Sequence, residues 1–223
     1  MSIQEIKTIE KQFISAAQRA KKAGYDGIEL HCCHGYLLGE FLNKEINKRT
    51  DIYCAKNRLL LQNIIQGIRK NTSPDFLIGC RMGAFEPELQ DGIENAKWLE
   101  RQGVDFIDAY LGCSWVEKGE VPANFPFSKS VFGAAEIKKE VSIPVIAIGN
   151  ISSGEEAAKI LETTSVDMVA IGRGSLVNPN WTNDVFADKN PGKCLNCKEC
   201  FWKTVDKKCP GRILISRAKQ TPQ

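Results

Sequence analysis

Pro144-Val145-Ile146-Ala147-Ile148-Gly149, then Glu155 to Leu161, then Val166-Asp167-Met168-Val169-Ala170-Ile171-Gly172 is the stretch that decides the fold. The outer segments are short, almost wholly apolar, rich in β-branched residues and closed by glycine, while the segment between them has helical spacing. Strand, helix, strand in that order, with strands apolar on both sides, describes a parallel sheet buried on both faces. Upstream the same alternation repeats. Ile6, Ile9, Phe13, Ala16, Ala17 and Ala20 recur at intervals of three and four from Glu5 to Ala23, and Gly24 stops the pattern before a strand from Gly27 to His31. Leu59, Leu60, Ile64, Ile65 and Ile68 mark a helix before the strand Phe76 to Arg81, and Ile93, Ala96, Trp98 and Leu99 mark another before Val104 to Tyr110. Val131 to Val141 leads into the opening strand. Five strand-helix units are legible, where a closed barrel of this class has eight and about 250 residues.

A chain of 223 residues, 43% hydrophobic, can bury one sizeable core. Its 30 basic and 27 acidic side chains leave a net charge of +3 with no long block of either sign, which argues against nucleic-acid and membrane-surface partners. The first twenty residues alternate charge and apolar positions at helical spacing, unlike a signal peptide, and no apolar run has membrane-spanning length. A cytoplasmic protein is the expectation. Of nine cysteines, Cys194, Cys197, Cys200 and Cys209 cluster near the end, which in a reducing compartment suggests metal rather than disulfides. The chain therefore reads as a main α/β domain over residues 1–190 and a cysteine-rich tail over 191–223.

Both histidines fall in one segment at a strand end, His31-Cys32-Cys33-His34-Gly35-Tyr36-Leu37-Leu38. Strand ends of this kind are where barrel enzymes keep their chemistry, and imidazole is the side chain that works near neutral pH. Imidazoles and thiolates also bind zinc. Alternation along a strand puts His31 and Cys33 on one side and their neighbours on the other unless the chain bends, which counts against four converging ligands. Arg81, read alone, is an ordinary strand-end ion-pair partner. Arg49 and Asp51 read as a loop salt bridge, and Trp98 as core.

The run His-x-x-His-Gly-Tyr-Leu-Leu, with Phe13 to Glu29, Asn47 to Tyr53, Ile78 to Arg81, Ile143 to Gly149 and Val169 to Pro179, resembles the Old Yellow Enzyme group of flavin oxidoreductases, including NADH:flavin oxidoreductases and 2,4-dienoyl-CoA reductases, over about residues 5 to 200. The resemblance implies an incomplete TIM barrel whose strands match the fourth to eighth of a (β/α)8 barrel, with three further units preceding in relatives. It implies FMN as cofactor, NAD(P)H as reductant and an activated C=C bond or similar acceptor. His31 and His34 would hold the substrate oxygen, and Tyr36 would donate a proton to carbon. Arg81 would lie against the isoalloxazine, and Gly149, Asn150, Gly172 and Arg173 would keep the phosphate. Backbone amides that follow a strand and precede a helix suit that last task. Cys194, Cys197, Cys200 and Cys209 match a segment that binds a [4Fe–4S] cluster in the dienoyl-CoA reductase branch, with shorter gaps, and four such thiols also suit zinc. Cys54-Ala55-Lys56 replaces a glycine-rich segment of relatives. Five strands would leave open edges, so a separately encoded N-terminal half-barrel or a second copy is the expected partner. The rival reading is a non-catalytic remnant or half-barrel subunit.

Overall fold

The computed structural model describes residues 1–116, 118–200, 202, 205 and 208–218. In order they form α1 (Ile3–Lys22), β1 (Gly27–Cys32), α2 (Leu37–Leu42), α3 (Leu59–Asn71), β2 (Leu77–Gly83), α4 (Leu89–Arg101), β3 (Phe106–Tyr110), α5 (Lys129–Lys138), β4 (Val145–Ile148), α6 (Gly154–Thr163), β5 (Met168–Ala170), α7 (Arg173–Val177), α8 (Trp181–Phe186) and α9 (Pro210–Ala218). By their internal contacts they fall into two compact units, Met1–Gly149 with Thr164–Met168, and Asn150–Thr163 with Val169–Gln223. No described helix is long and apolar enough to cross a membrane.

The strands lie in one sheet in the order β1-β2-β3-β4-β5. Pairing is parallel from β1 to β4, and the register sets His31 beside Arg81, Arg81 beside Asp108, and Asp108 beside Ile146. Five strands and their helices are thus as the sequence reading expects. Alternation then divides the faces. Leu30, Ile78, Cys80, Met82, Ile107, Ala109, Val145 and Ala147 are buried, and the helices α1, α4 and α5 pack on these strands. The other face carries Glu29, His31, Arg81, Asp108 and Tyr110. The expectation of strands apolar on both faces is corrected here: toward the C-terminal ends of β1, β2 and β3 the second face carries His31, Arg81, Asp108 and Tyr110, a chemical surface rather than a second core.

Local signals explain the helices. Ser2 caps α1 by accepting from the Glu5 amide, and the Ser2 amide donates in turn to the Glu5 carboxylate at 2.6 Å. α1 packs on α3, whose Ile64, Ile65 and Ile68 are fully buried, each contributing about 1.5–3 kcal/mol. Glu10 on α1 is buried but not stranded, since Tyr53 donates to it at 3.1 Å and Asn63 at 2.7 Å. That anchor fixes the loop after α2, in which Asp51 accepts from Arg49 Nε and from the Tyr53 amide, both at 3.0 Å. The Arg49–Asp51 salt bridge is therefore structural.

Candidate active site

The segment after β1 bends sharply. His34 sits in the left-handed region at φ 61° and Gly35 at φ 70°, and the Tyr36 amide closes the turn on the Cys33 carbonyl at 3.2 Å. Tyr36 then caps α2, whose six residues are too few to show a period in sequence. Trp115 lies against the turn: a Cβ on Gly35 would fall 2.1 Å from its Cη2.

The bend brings His34 round to the side of His31. His34 Nδ1 stands 3.3 Å from His31 Nε2 and 3.2 Å from Cys33 Sγ, and the ring centroids of His31 and His34 are 5.1 Å apart. Tyr36 flanks His31 at 5.1 Å, and Tyr110 flanks His34 at 4.8 Å. The strand-alternation argument against convergence at His31-Cys32-Cys33-His34 is corrected for three of the four residues. Cys32 alone points away, buried on the helix side, where burial and its neighbour Cys80 push its thiol up.

Arg81 extends the cluster. Its guanidinium lies 5.7 Å from the Tyr110 ring and 3.6 Å from Asp108 Oδ2. Among the described residues, its buried Nε and the buried Oδ1 of Asp108 have no hydrogen-bond partner, an orphaned donor and acceptor of the kind that marks a site awaiting a polar ligand. Burial, then the Arg81 charge, lowers the pKa of His31 and His34, so both imidazoles are neutral at pH 7 and each carries one N–H. Burial pushes the Cys33 thiol up to about 12 against the opposing pull of Arg81. Burial raises Asp108, and burial followed by Asp108 raises Glu29. The result is a compact group of neutral donors beside one partly paired cation.

At the end of β4, Gly149 has φ 135°, and its carbonyl accepts from Ser128 Oγ at 3.0 Å. In the second unit, Asn150 is left-handed at φ 56°, and Arg173 donates to the side-chain oxygens of Asn150 and Asn196. Those acceptors are neutral, so the guanidinium charge is available to an anion. A Cβ on Gly172 would meet nothing within 4 Å, which leaves its backbone open to approach. α6 begins only at Gly154 and α7 has five residues, so loop amides and the Arg173 charge, more than helix ends, are what this segment offers.

The tail cysteines are free thiols, Cys197 and Cys200 exposed, Cys194 and Cys209 half-buried. Among the described residues, the group of three or more side chains whose ligand atoms converge is His31, Cys33 and His34, not the tail. Sequence reasoning missed Asp108, Tyr110 and Cys33 as members of the site. Alternation within Val104 to Tyr110 would have grouped Asp108 with Tyr110, but their level against Arg81 depends on a register that no local signal encodes.

A profile described as the NADH:flavin oxidoreductase / NADH oxidase family matches residues 1–190. An NADH oxidase of Thermoanaerobacter brockii is 36% identical over 208 residues, 88% of this chain and 32% of that protein. An NADPH dehydrogenase of Halalkalibacterium halodurans is 39% identical over 194 residues, 82% of this chain and 55% of that protein. The solved Old Yellow Enzyme homologue of Zymomonas mobilis superposes with a TM-score of 0.67 at 22% identity, over 88% of this chain and 56% of that one, which speaks to the fold. The chain spans about a third to about half the length of these relatives. Five parallel-sheet units, a sheet face bearing His31, Arg81 and Asp108, and a profile match over most of its length establish that the chain belongs to the NADH:flavin oxidoreductase / NADH oxidase family.

Proposed function

We propose that this chain supplies the acceptor-binding and FMN-binding residues of an Old Yellow Enzyme-type NAD(P)H oxidoreductase that reduces an activated C=C bond or similar acceptor. The observation that carries this reading is the pair of neutral imidazoles, nitrogens 3.3 Å apart, beside Arg81 with its unpartnered Nε. FMN, when bound, would supply hydride transfer between nicotinamide and acceptor. The orphaned Arg81 Nε fits a cofactor rim that offers acceptors, and the open backbone at Gly172 with the amide-bonded Arg173 fits a phosphate. Gly149, Asn150, Gly172 and Arg173 would hold that phosphate, and Arg81 would hold the ring.

His31 and His34 would donate hydrogen bonds to the acceptor's electron-withdrawing oxygen, giving up the bond they now make to each other. Charge grows on that oxygen as hydride adds to the β-carbon, so these donors act more strongly in the transition state than in the ground state. Tyr36, 61% exposed and ring to ring with His31, would deliver its hydroxyl proton to the α-carbon and recover one from water. His34→Ala is expected to retain FMN and lower acceptor reduction by about 10²–10³-fold. An FMN titration followed at about 450 nm, the oxidised flavin band, tests the cofactor. Failure to bind FMN, even with a complementing N-terminal half, would overturn the proposal.

β1 and β5 are the outer strands of the described sheet, and open strand edges pair readily, which favours a second reading, a half-barrel subunit completed by a separately encoded N-terminal half or a second copy. Light scattering after size exclusion decides it, since a dilution-stable monomer that binds FMN would refute it. We further propose that function divides near residue 190, that the chain works in the cytoplasm, where its nine free thiols stay reduced, and that Cys194, Cys197, Cys200 and Cys209 hold a [4Fe–4S] cluster. Brown protein after anaerobic purification supports the cluster, and colourless protein with one equivalent of zinc that is lost when these four cysteines are changed to Ser replaces it.

A further inference from the structure

Cys33 is a thiol that the oxidoreductase reading does not use. It is fully buried, yet its sulfur faces the same space as the two imidazoles, 3.2 Å from His34 Nδ1 and 3.9 Å from His31 Nδ1. We propose that His31, Cys33 and His34 form a binding site for one zinc ion, with His31 Nε2, His34 Nδ1 and Cys33 Sγ as ligands and a fourth position open to water or a substrate oxygen.

The distances carry the argument. Zinc bonds of about 2.0–2.1 Å to nitrogen and about 2.3 Å to sulfur, at tetrahedral angles, place two nitrogens about 3.3 Å apart and nitrogen and sulfur about 3.6 Å apart. The nitrogens here are 3.3 Å apart, and nitrogen and sulfur are 3.2 Å apart, so two edges of the ligand triangle need to shift by a few tenths of an ångström at most. All three residues offer ligand atoms within 4.8 Å of one another. The left-handed backbone at His34 makes this possible by turning its ring back over Cys33, and Tyr36 and Tyr110 flank the two imidazoles and limit their rotation. The half-buried rings leave a way in from solvent.

The step balances without a co-reactant. The zinc–sulfur bond forms as the thiol proton leaves to solvent, and the imidazoles bind through neutral nitrogens, so one proton is released per ion. The Arg81 charge pulls the Cys33 thiol toward the thiolate, while Asp108, 3.6 Å from Arg81, offsets the charge that Arg81 brings to the ion. Zinc held there would occupy the nitrogens assigned above to the acceptor oxygen and so block reduction. That consequence rests on the oxidoreductase reading, whereas the ion site does not.

The test is metal binding by the full-length chain without FMN, with Cys194, Cys197, Cys200 and Cys209 changed to Ser so that the tail contributes no thiolate. Anaerobic titration with Co²⁺ is expected to saturate at one ion per chain, with visible bands of tetrahedral coordination and a near-ultraviolet sulfur-to-cobalt band, all displaced by Zn²⁺. Cys33→Ala and Cys33→Ser, each checked for folding by its urea midpoint, are expected to lose the sulfur band. They should also bind Zn²⁺ at least about 100-fold more weakly, because removing even an outer hydrogen-bond partner of a metal ligand costs about 10–100-fold. If the tail variant is insoluble, the intact chain gives the same decision by count, Cys33→Ala removing one equivalent of metal. Unchanged stoichiometry and an unchanged sulfur band in both Cys33 variants would overturn the site. Neither result depends on FMN, so failure of the flavin reading leaves this test intact.

Discussion

Replacing Gly149 with alanine should destabilise the chain by a sum of two separable effects. The first is conformational: at φ 135° an L-residue occupies a region essentially reserved for glycine, at roughly 1–3 kcal/mol. The second is contact. An added Cβ would fall 2.0 Å from Ser130 Oγ and 3.2 Å from Ser130 Cβ, so the hydroxyl must rotate away and lose its approach to Ser128 Oγ, at about 0.5–1.5 kcal/mol. Ser130 is only 3% exposed, so the displaced hydroxyl has little access to water as a substitute partner. The expected total is roughly 1.5–4.5 kcal/mol. Gly24 supplies the control, since it too has positive φ, at 88°, but a Cβ there meets nothing within 4 Å. Gly24→Ala should therefore show the conformational part alone. Urea unfolding of both variants with unchanged slope reads the difference directly. If Gly149→Ala falls within about 0.5 kcal/mol of the parent, the range of ordinary surface substitutions, or costs no more than Gly24→Ala, the reasoning from backbone and contact at the β4 end is wrong.

Other outcomes follow from the same geometry. Arg81→Met leaves Asp108 buried without its cation, and should cost about 3 kcal/mol at pH 7 and less as acidity neutralises the carboxyl, read as urea midpoints from pH 4 to 8; a pH-independent cost would contradict the ion pair. Because folding lowers the pKa of His31 and His34, the unfolded chain holds more protons just below pH 6.5, the ordinary imidazole value, and stability should rise with pH through that window. Midpoints of His31→Gln with His34→Gln should show that slope removed, and persistence of the slope would move its origin elsewhere. Tyr53→Phe deletes one of the two donors to Glu10 and should cost about 0.5–1.5 kcal/mol by urea unfolding, while loss of Asn63 as well should cost more than the sum.

The period of the apolar residues made the strand-helix units legible, and Gly24 marked the end of α1, whereas the Ser2–Glu5 cap at its start went unread. Roles for His31, His34, Tyr36 and Arg81 came from resemblance, not from pattern. Three things were hidden for physical reasons. The partnership of Arg81 with Asp108 rests on parallel register, which is set across 27 residues of chain and leaves no mark in either strand alone. The meeting of His34 with Cys33 depends on a left-handed residue that is not glycine, and a histidine gives little notice of that conformation. β5 has three residues where the mostly apolar run Val166 to Gly172 suggested a longer strand, because composition reports burial better than it reports ladder length.

Trp115 resting on Gly35 gives the molecule an intrinsic optical reporter. Its indole is 66% exposed, so its emission should be red-shifted relative to core tryptophan, and it lies against the turn that carries His34. Anything that re-seats that turn, whether an anion, an aromatic acceptor or a metal ion, should alter its quantum yield. With Trp98, Trp181 and Trp202 changed to Phe, a single fluorophore would follow occupancy of the turn in real time, without labels and without turnover.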